Sequence, residues 1–281
     1  MDPPNDLVQD IVRVHFSDGP IVAVAIHDGH AVRPEIAERL LISEADRLRE
    51  EDSFTSRWTR IASTQVVGLR SRFEVDLNRL RKDAVYRTPE DAWGLHVWKQ
   101  PLEPDIVDRS LAIYDAFYSF MFELLSEIKR RHGAFFVYDL HSYNHHREGP
   151  ASAFAEILEN PQINICTGGM DLDRCEGVVS CFERAMKEFD FPGGPLDVRR
   201  NVRFRATRFS RWVHENFPGS GVSLGIEVKK FYMNEWTGEV DDEIVTAIGR
   251  ALESTVAPIK HALKQARSVP SQQRPPEQDV L

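Results

Sequence analysis

The sequence predicts an α/β fold: a single domain with a mixed, mostly parallel sheet flanked by helices on both faces. Three observations predict it. Runs such as "PIVAVAIH" and "AFFVYDLH" are apolar throughout, rich in β-branched or aromatic residues, and too short for a helix. Strands buried on both faces read this way. These runs alternate with longer segments of helical periodicity, the pattern of a sheet covered on both sides. No linker divides the body of the 281-residue chain, and no repeat with a period of about 20–50 residues is present.

Each element follows from local signals. "PIVAVAIH" is the first buried strand, and residues 33–50 carry Ile36, Leu40, Leu41 and Leu48 among charges, which predicts a helix. "RFEVDLNR" alternates as a strand does. In "RTPEDAWGL", Thr88 is placed to cap a helix that begins with Pro89. The longest helix is expected over residues 108–132, where Leu111, Tyr114, Tyr118, Phe122 and Leu125 recur at helical spacing beside Phe117. Lys129, Arg130 and Arg131 suit its C-terminal dipole, and Gly133 ends it. "AFFVYDLH" and "INIC" read as strands, 174–189 as a helix, "VSLGIEVKKFY" as a strand, and 241–266 as a closing amphipathic helix. The last stretch, "SVPSQQRPPEQDVL", is rich in Pro, Gln and charge, so the domain is assigned to 1–267 and a disordered tail to 268–281.

Composition narrows the function classes. A net charge of −9 argues against a nucleic-acid partner, which needs clustered basic surface. No run of about 18 apolar residues predicts a membrane span. The opening "MDPPNDLVQD" lacks the basic and apolar regions of a secretion signal. Cys166, Cys175 and Cys181 are odd in number and form no CxxC pair, so they read as reduced thiols of a cytoplasmic protein. Oligomeric state is not legible.

The polar residues that carry chemistry cluster at strand ends, where ligands bind in open α/β sheets. "VAVAIHDGH" delivers His27 and His30, and "SRFEVDLNR" carries Arg72, Asp76, Asn78 and Arg79. "FFVYDLHSY" delivers Asp139 and His141, while "SLGIEVKK" holds Glu227. Asp139 and His141 stand two apart and so share one face of their strand. A metal-bound histidine commonly donates its other ring N–H to a carboxylate, a role Asp139 would fill. The bland alternative is an Asp–His hydrogen bond without metal.

Taken together, "IHDGH", "EEDSFTSRW", "RFEVDLNR", "PEDAWGLHVW", "YDLHSYNHHR" and "GIEVKKFYMNE" resemble the N-formylglutamate amidohydrolase family, in this order over about residues 20–240. The resemblance implies a fold like that of zinc carboxypeptidases and aspartoacylases, hence zinc-exopeptidase-like. It implies one Zn2+ per chain, held by His27, His141 and an acidic residue of "EEDSF". Asp52 is chosen for that residue, with Glu51 and His30 as alternatives, because His30 stands where carboxypeptidases carry the Glu of HxxE. Two imidazoles and a carboxylate with an open position also suit a hydrolytic zinc.

The resemblance further implies Glu227 as general base, Arg72 as the residue polarising the scissile carbonyl, and Asn78 with Arg79 as the holders of a substrate carboxylate. Tyr143 is a candidate substrate contact. His145 and His146 read as solvated loop residues, Arg147 as a second carboxylate holder or a turn cap, and Trp93 and Trp98 as cleft walls or core. The implied activity is hydrolysis of a small anionic N-acyl amino acid such as N-formyl-L-glutamate, releasing formate or another small acid. The alternatives are a zinc hydrolase of another peptide-like acyl amide and a non-catalytic binding protein on the same scaffold.

Overall fold

The computed structural model describes residues 6–266. The expected tail, 268–281, and the boundary at 267 lie outside the described residues. In chain order the elements begin with α1 (Asp6–Gln9), β1 (Val12–His15), β2 (Ile21–Ala25), α2 (Pro34–Ala37), α3 (Glu44–Glu50), α4 (Thr55–Trp58) and β3 (Thr64–Gly68). Next come α5 (Pro104–His132), β4 (Phe135–Tyr143), β5 (Ile163–Cys166), α6 (Leu172–Glu188) and β6 (Val198–Arg200). The chain closes through α7 (Arg208–Asn216), β7 (Gly221–Lys229), α8 (Asp242–Ser254) and α9 (Val256–Ala266).

The seven strands form one sheet in the order β1-β3-β2-β4-β7-β5-β6. Strands β3, β2, β4 and β7 run parallel, β5 pairs antiparallel with β7 and parallel with β6, and β1 is antiparallel to β3. The expected single α/β domain with a mixed, mostly parallel sheet is therefore what the chain forms. Its period of two sends Phe136, Tyr138 and Leu140 of β4 to one face, packed with residues of α6, α8 and α9. Phe135 and Val137 go to the other, against Phe117 of α5 and Phe209 of α7. On this second face the apolar series changes character, because the next two residues pointing that way are Asp139 and His141. The same switch occurs in β7, where Glu227 lies in register with His141. Two neighbouring strands thus bring polar groups to one end of an apolar sheet.

Three expected elements differ. Residues 33–50 form two short helices, because the chain between them pairs with 97–99 instead. Leu41 N–H donates to the Val97 carbonyl at 2.8 Å and Lys99 N–H to that of Arg39 at 2.9 Å. Ser43 then starts α3 by accepting from Asp46 N–H at 3.0 Å. "RFEVDLNR" is no strand. The backbone turns at Ser71, whose carbonyl accepts from Glu74 N–H at 3.0 Å, and Glu74 and Asp76 are both fully buried, so no face is left for water. The closing helix is broken at Thr255 into α8 and α9. Pro258 has no N–H for the Ser254 carbonyl and its ring crowds that turn.

Other readings hold with shifted ends. The long helix starts earlier than 108, with Pro104 in its first turn. Pro89–Ala92 form a one-turn 3-10 helix after Thr88. All three cysteines are free. Among the described residues no helix is long and apolar enough to cross a membrane.

Candidate active site

His27 follows the end of β2, Asp52 follows α3, and His141 lies near the end of β4. A backbone hydrogen bond from Asp52 N–H to the His27 carbonyl, 3.0 Å, joins the first two. Gly29 lets the chain after His27 pass close to the backbone after β3, since a Cβ there would lie 2.3 Å from the Leu69 carbonyl carbon. Asp52 Oδ2 is 2.9 Å from His141 Nδ1 and 3.5 Å from His27 Nδ1. One ligand atom from each of the three residues falls within 4.8 Å of the others, and all three residues are buried.

The outer ring nitrogens are engaged in the same way. His27 Nε2 donates to Asp76 Oδ1 at 2.8 Å, and His141 Nε2 donates to Asp139 Oδ1 at 3.0 Å. With one proton held at Nε2, Nδ1 of each imidazole is the atom turned towards Asp52, and its lone pair is what a bound metal would take. His27 Nδ1 is buried and has no hydrogen-bond partner. An orphaned buried acceptor, a second imidazole and a carboxylate converging on one point form a donor set that fits a divalent metal of the zinc type. Carboxylates behind both histidines fix their tautomers as metal ligands require.

Charged groups crowd the site: Glu227 faces His141, Asp52, Asp139 and Arg72, and Arg72 pairs with Asp76. Burial disfavours the Asp52 carboxylate, but the neighbouring His141 and His27 imidazoles outweigh it and hold its pKa below the ordinary value. For Asp139, burial is likewise overcome, chiefly by His141. Burial also works against charge on His141, yet Asp139 and Asp52 raise its pKa well above the usual imidazole value. Glu227 responds differently: burial pushes it up to about 8, and the nearby Asp52 and Asp139 add to that.

A pocket of about 140 Å³ is lined by His27, Asp52, His141, Glu227, Arg72 and Asn78, among others. Arg72 donates to Asp76 at 2.9 Å and to the Tyr86 hydroxyl at 3.1 Å, and lies 4.8 Å from the Trp93 ring centroid. Asn78 accepts Phe209 N–H at its side-chain oxygen, 3.1 Å, which leaves its NH2 to donate. Glu51 and His30, the alternatives to Asp52, pair with each other at 2.5 Å and stand apart from the cluster.

Two residues expected to contact substrate have protein partners in the structure. Arg79 does not line the pocket; its guanidinium donates to the Asp91 carbonyl at 2.6 Å and stacks on Tyr86 at 4.7 Å, so its fork is already committed. Tyr143 does line it, with its hydroxyl proton given to the Pro161 carbonyl, so towards a substrate it offers only an acceptor. Nor are His145 and His146 solvated: both backbone N–H groups donate to Glu235, and so does the His145 ring. Arg147 reaches the pocket and pairs with Glu50 at 2.8 Å. Trp93 forms part of the wall, whereas Trp98 donates to the Tyr86 carbonyl and packs with the core.

Sequence reasoning assigned no role to Asp76 or Lys230. Asp76 joins His27, Arg72 and the Tyr86 hydroxyl, the last at 2.5 Å. Lys230 is buried and its ammonium donates to the carbonyls of Arg49, 2.6 Å, and Glu51, 2.7 Å. It thereby ties down the backbone that presents Asp52. The only sequence signal was a second lysine in "EVKK", which breaks the alternation of the strand.

A family model described as N-formylglutamate amidohydrolase matches residues 19–233. Among solved structures, the chain is similar to an N-formylglutamate amidohydrolase from Ralstonia eutropha JMP134, with a TM-score of 0.70 and 19% identity. That alignment covers 92% of this chain and 100% of the other. It is also similar to a gene product of Agrobacterium tumefaciens, with a TM-score of 0.60, 17% identity, and coverage of 92% and 95%. At these identities both structures speak to the fold. No curated protein matches the chain.

Proposed function

Because the chain belongs to the N-formylglutamate amidohydrolase family, hydrolases acting on amide bonds, we propose that it cleaves a small anionic N-acyl amino acid with the aid of zinc. N-formyl-L-glutamate is the reference substrate, giving formate and glutamate. One observation carries the reading: His27 Nδ1 and His141 Nδ1 converge with Asp52 while each Nε2 is anchored on its own buried carboxylate. His27, Asp52 and His141 would hold the metal.

The chemistry a bound zinc supplies is a water made acidic near neutral pH and a polarised acyl carbonyl. Glu227 lines the same pocket and takes the proton of the attacking water. Burial holds Glu227 at about 8, and the charge of a divalent cation held by His27, Asp52 and His141 would favour its ionised, basic form. As the new C–O bond forms, Arg72 donates to the oxyanion, its plane held by Trp93 and Asp76. Glu227 then delivers the proton to the departing nitrogen as the C–N bond breaks. Asn78 and Arg147 offer donors to the substrate, and Arg79 stacks on Tyr86, whose hydroxyl meets Arg72 and Asp76.

The catalytic unit is read as residues 1–267, which contain the family match. Free cysteines, two of them buried, support a cytoplasmic setting. The test is release of formate and glutamate from N-formyl-L-glutamate by zinc-loaded protein, beside Glu227→Gln. The variant is expected to keep zinc and lose about a hundredfold or more in rate. Absence of hydrolysis with any N-formyl or N-acetyl amino acid would refute the reading, and full activity in Glu227→Gln would remove the base.

A further inference from the structure

Outside the catalytic pocket lies a larger cavity of about 420 Å³, which shares Trp93, Tyr143, Asn144, Arg147 and Phe204 with it. Trp93 stands at the junction. It is 44% exposed, and its φ of 55° lies in the left-handed region that a bulky side chain rarely adopts. Its ring faces guanidinium groups from both cavities, Arg72 at 4.8 Å and Arg147 at 5.4 Å. A strained, half-exposed tryptophan at a cavity mouth is an observation that calls for a functional reading.

Three arginines line the outer cavity, and two are committed. Arg49 pairs with Asp46 at 2.7 Å, and Arg147 with Glu50 at 2.8 Å. The third, Arg203, forms no ion pair among the described residues, and its guanidinium lies 5.8 Å from the Phe204 ring centroid. Its backbone, by contrast, is firmly held. The buried Asn164 side chain accepts the N–H groups of Val202 and Arg203, both at 2.9 Å, and of Phe204 at 3.4 Å, while donating to the Phe204 carbonyl at 2.9 Å. Asn201, at φ 54°, bonds through its amide to the Thr167 backbone and hydroxyl. Asn164 is itself in register with Glu227. The loop over 201–206 is thus an irregular segment fixed to β5, the strand paired with the one bearing Glu227, and it presents one uncommitted guanidinium to the cavity.

We propose that Arg203 is a specificity-determining residue that takes the side-chain carboxylate of an acidic N-acyl amino acid, with the side chain lying along Trp93 and Phe204. The assignment rests on the amidohydrolase reading. It follows from position: the acyl group enters the inner pocket with Glu227 and Arg72, so the distal end of the substrate lies outward. A planar fork free of other acids is the group suited to a carboxylate there. Arg79, expected from the sequence to do this, faces elsewhere.

The test compares N-formyl-L-glutamate with N-formyl-L-glutamine, which differs only by the neutral side-chain amide. Binding is measured by calorimetry on zinc-loaded Glu227→Gln protein, so that turnover is not needed. Glutamate-derived ligand is expected to bind more tightly, and adding Arg203→Met is expected to weaken it about 10- to 100-fold while changing the glutamine analogue little. Arg203→Lys should recover part of the loss, and Arg205→Met, outside both cavities, should bind both ligands as the parent does. Equal binding of the two ligands, or an equal loss of both in Arg203→Met, overturns the proposal. Turnover by protein with Glu227 intact is read separately. Discrimination without turnover sinks the hydrolase reading and keeps Arg203; turnover without discrimination does the reverse; neither binding nor turnover sinks both.

Discussion

Replacing Asp139 by asparagine exchanges one oxygen for an NH2 group in a residue that is fully buried. Its Oδ1 accepts His141 Nε2–H at 3.0 Å, and its Oδ2 accepts the hydroxyls of Thr207 and Ser210, the latter at 2.9 Å. An asparagine has one carbonyl for these three donors. If that carbonyl stays with the hydroxyls, the NH2 faces His141 Nε2, and the imidazole must shift its proton to Nδ1. That proton then blocks the lone pair directed towards Asp52. If the carbonyl turns to His141, the tautomer survives, but the charge that raises the basicity of the ring is gone and the NH2 meets two hydroxyls. Thr207 Oγ1 already accepts Ser210 N–H at 3.2 Å, so it is a poor acceptor for more. Either way metal affinity falls. Loss of such a supporting carboxylate costs about 10- to 100-fold, roughly 1.4–2.7 kcal/mol. Competition with a chromophoric chelator measures the zinc Kd, and far-ultraviolet circular dichroism with a thermal melt checks that the variant is folded. A folded Asp139→Asn protein that binds zinc within twofold of wild type would refute the reasoning that Asp139 sets the His141 tautomer.

Further predictions follow from the same geometry. Arg72→Lys keeps a positive charge but loses the fork that spans Asp76 and the Tyr86 hydroxyl; kcat should fall about a hundredfold with zinc retained, and an unchanged kcat removes Arg72 as the oxyanion donor. His214 is held neutral in the fold, because burial lowers its pKa to about 4 while Nε2 donates to the Ser223 carbonyl at 2.9 Å. Above pH of about 6.5 both states are neutral. As pH falls towards 4 the unfolded chain binds the proton first, which costs up to about 3 kcal/mol of stability. His214→Gln should therefore flatten the loss between those limits in urea midpoints, and parallel curves would show that His214 is not the titrating group. Trp58 is 1% exposed, donates to the Val245 carbonyl at 3.0 Å and meets Tyr232 edge-on at 5.3 Å. Trp58→Ala should cost about 3–5 kcal/mol in denaturant unfolding; a loss below about 1 kcal/mol would mean that the site collapses freely.

Several of these groups were legible in the letters. His27, His141 and Glu227 each follow or interrupt an apolar run, and the period of two alone puts Asp139 beside His141. The break in the closing helix and the separate start of α3 were missed, although Pro258 and Ser43, three residues before Asp46, mark them locally. Other features depended on contacts no local pattern encodes. Asp76 meets His27 across 49 residues, in a stretch whose alternation mimics a strand because buried carboxylates occupy alternate places. The gap between α2 and α3 exists because Leu40 bridges to Trp98. Arg79 turned away because Tyr86 offered a ring and Asp91 a carbonyl, while Arg203 entered the cavity through a loop organised by a single buried asparagine.

The most direct test of the central claim is the zinc content of purified protein, measured by elemental analysis beside His141→Ala. The account predicts about one zinc per chain in wild type, and a large loss in the variant despite a retained fold. No zinc in wild type after supplementation, or the same content in both proteins, would contradict a metal centre at His27, Asp52 and His141 and with it the hydrolytic mechanism.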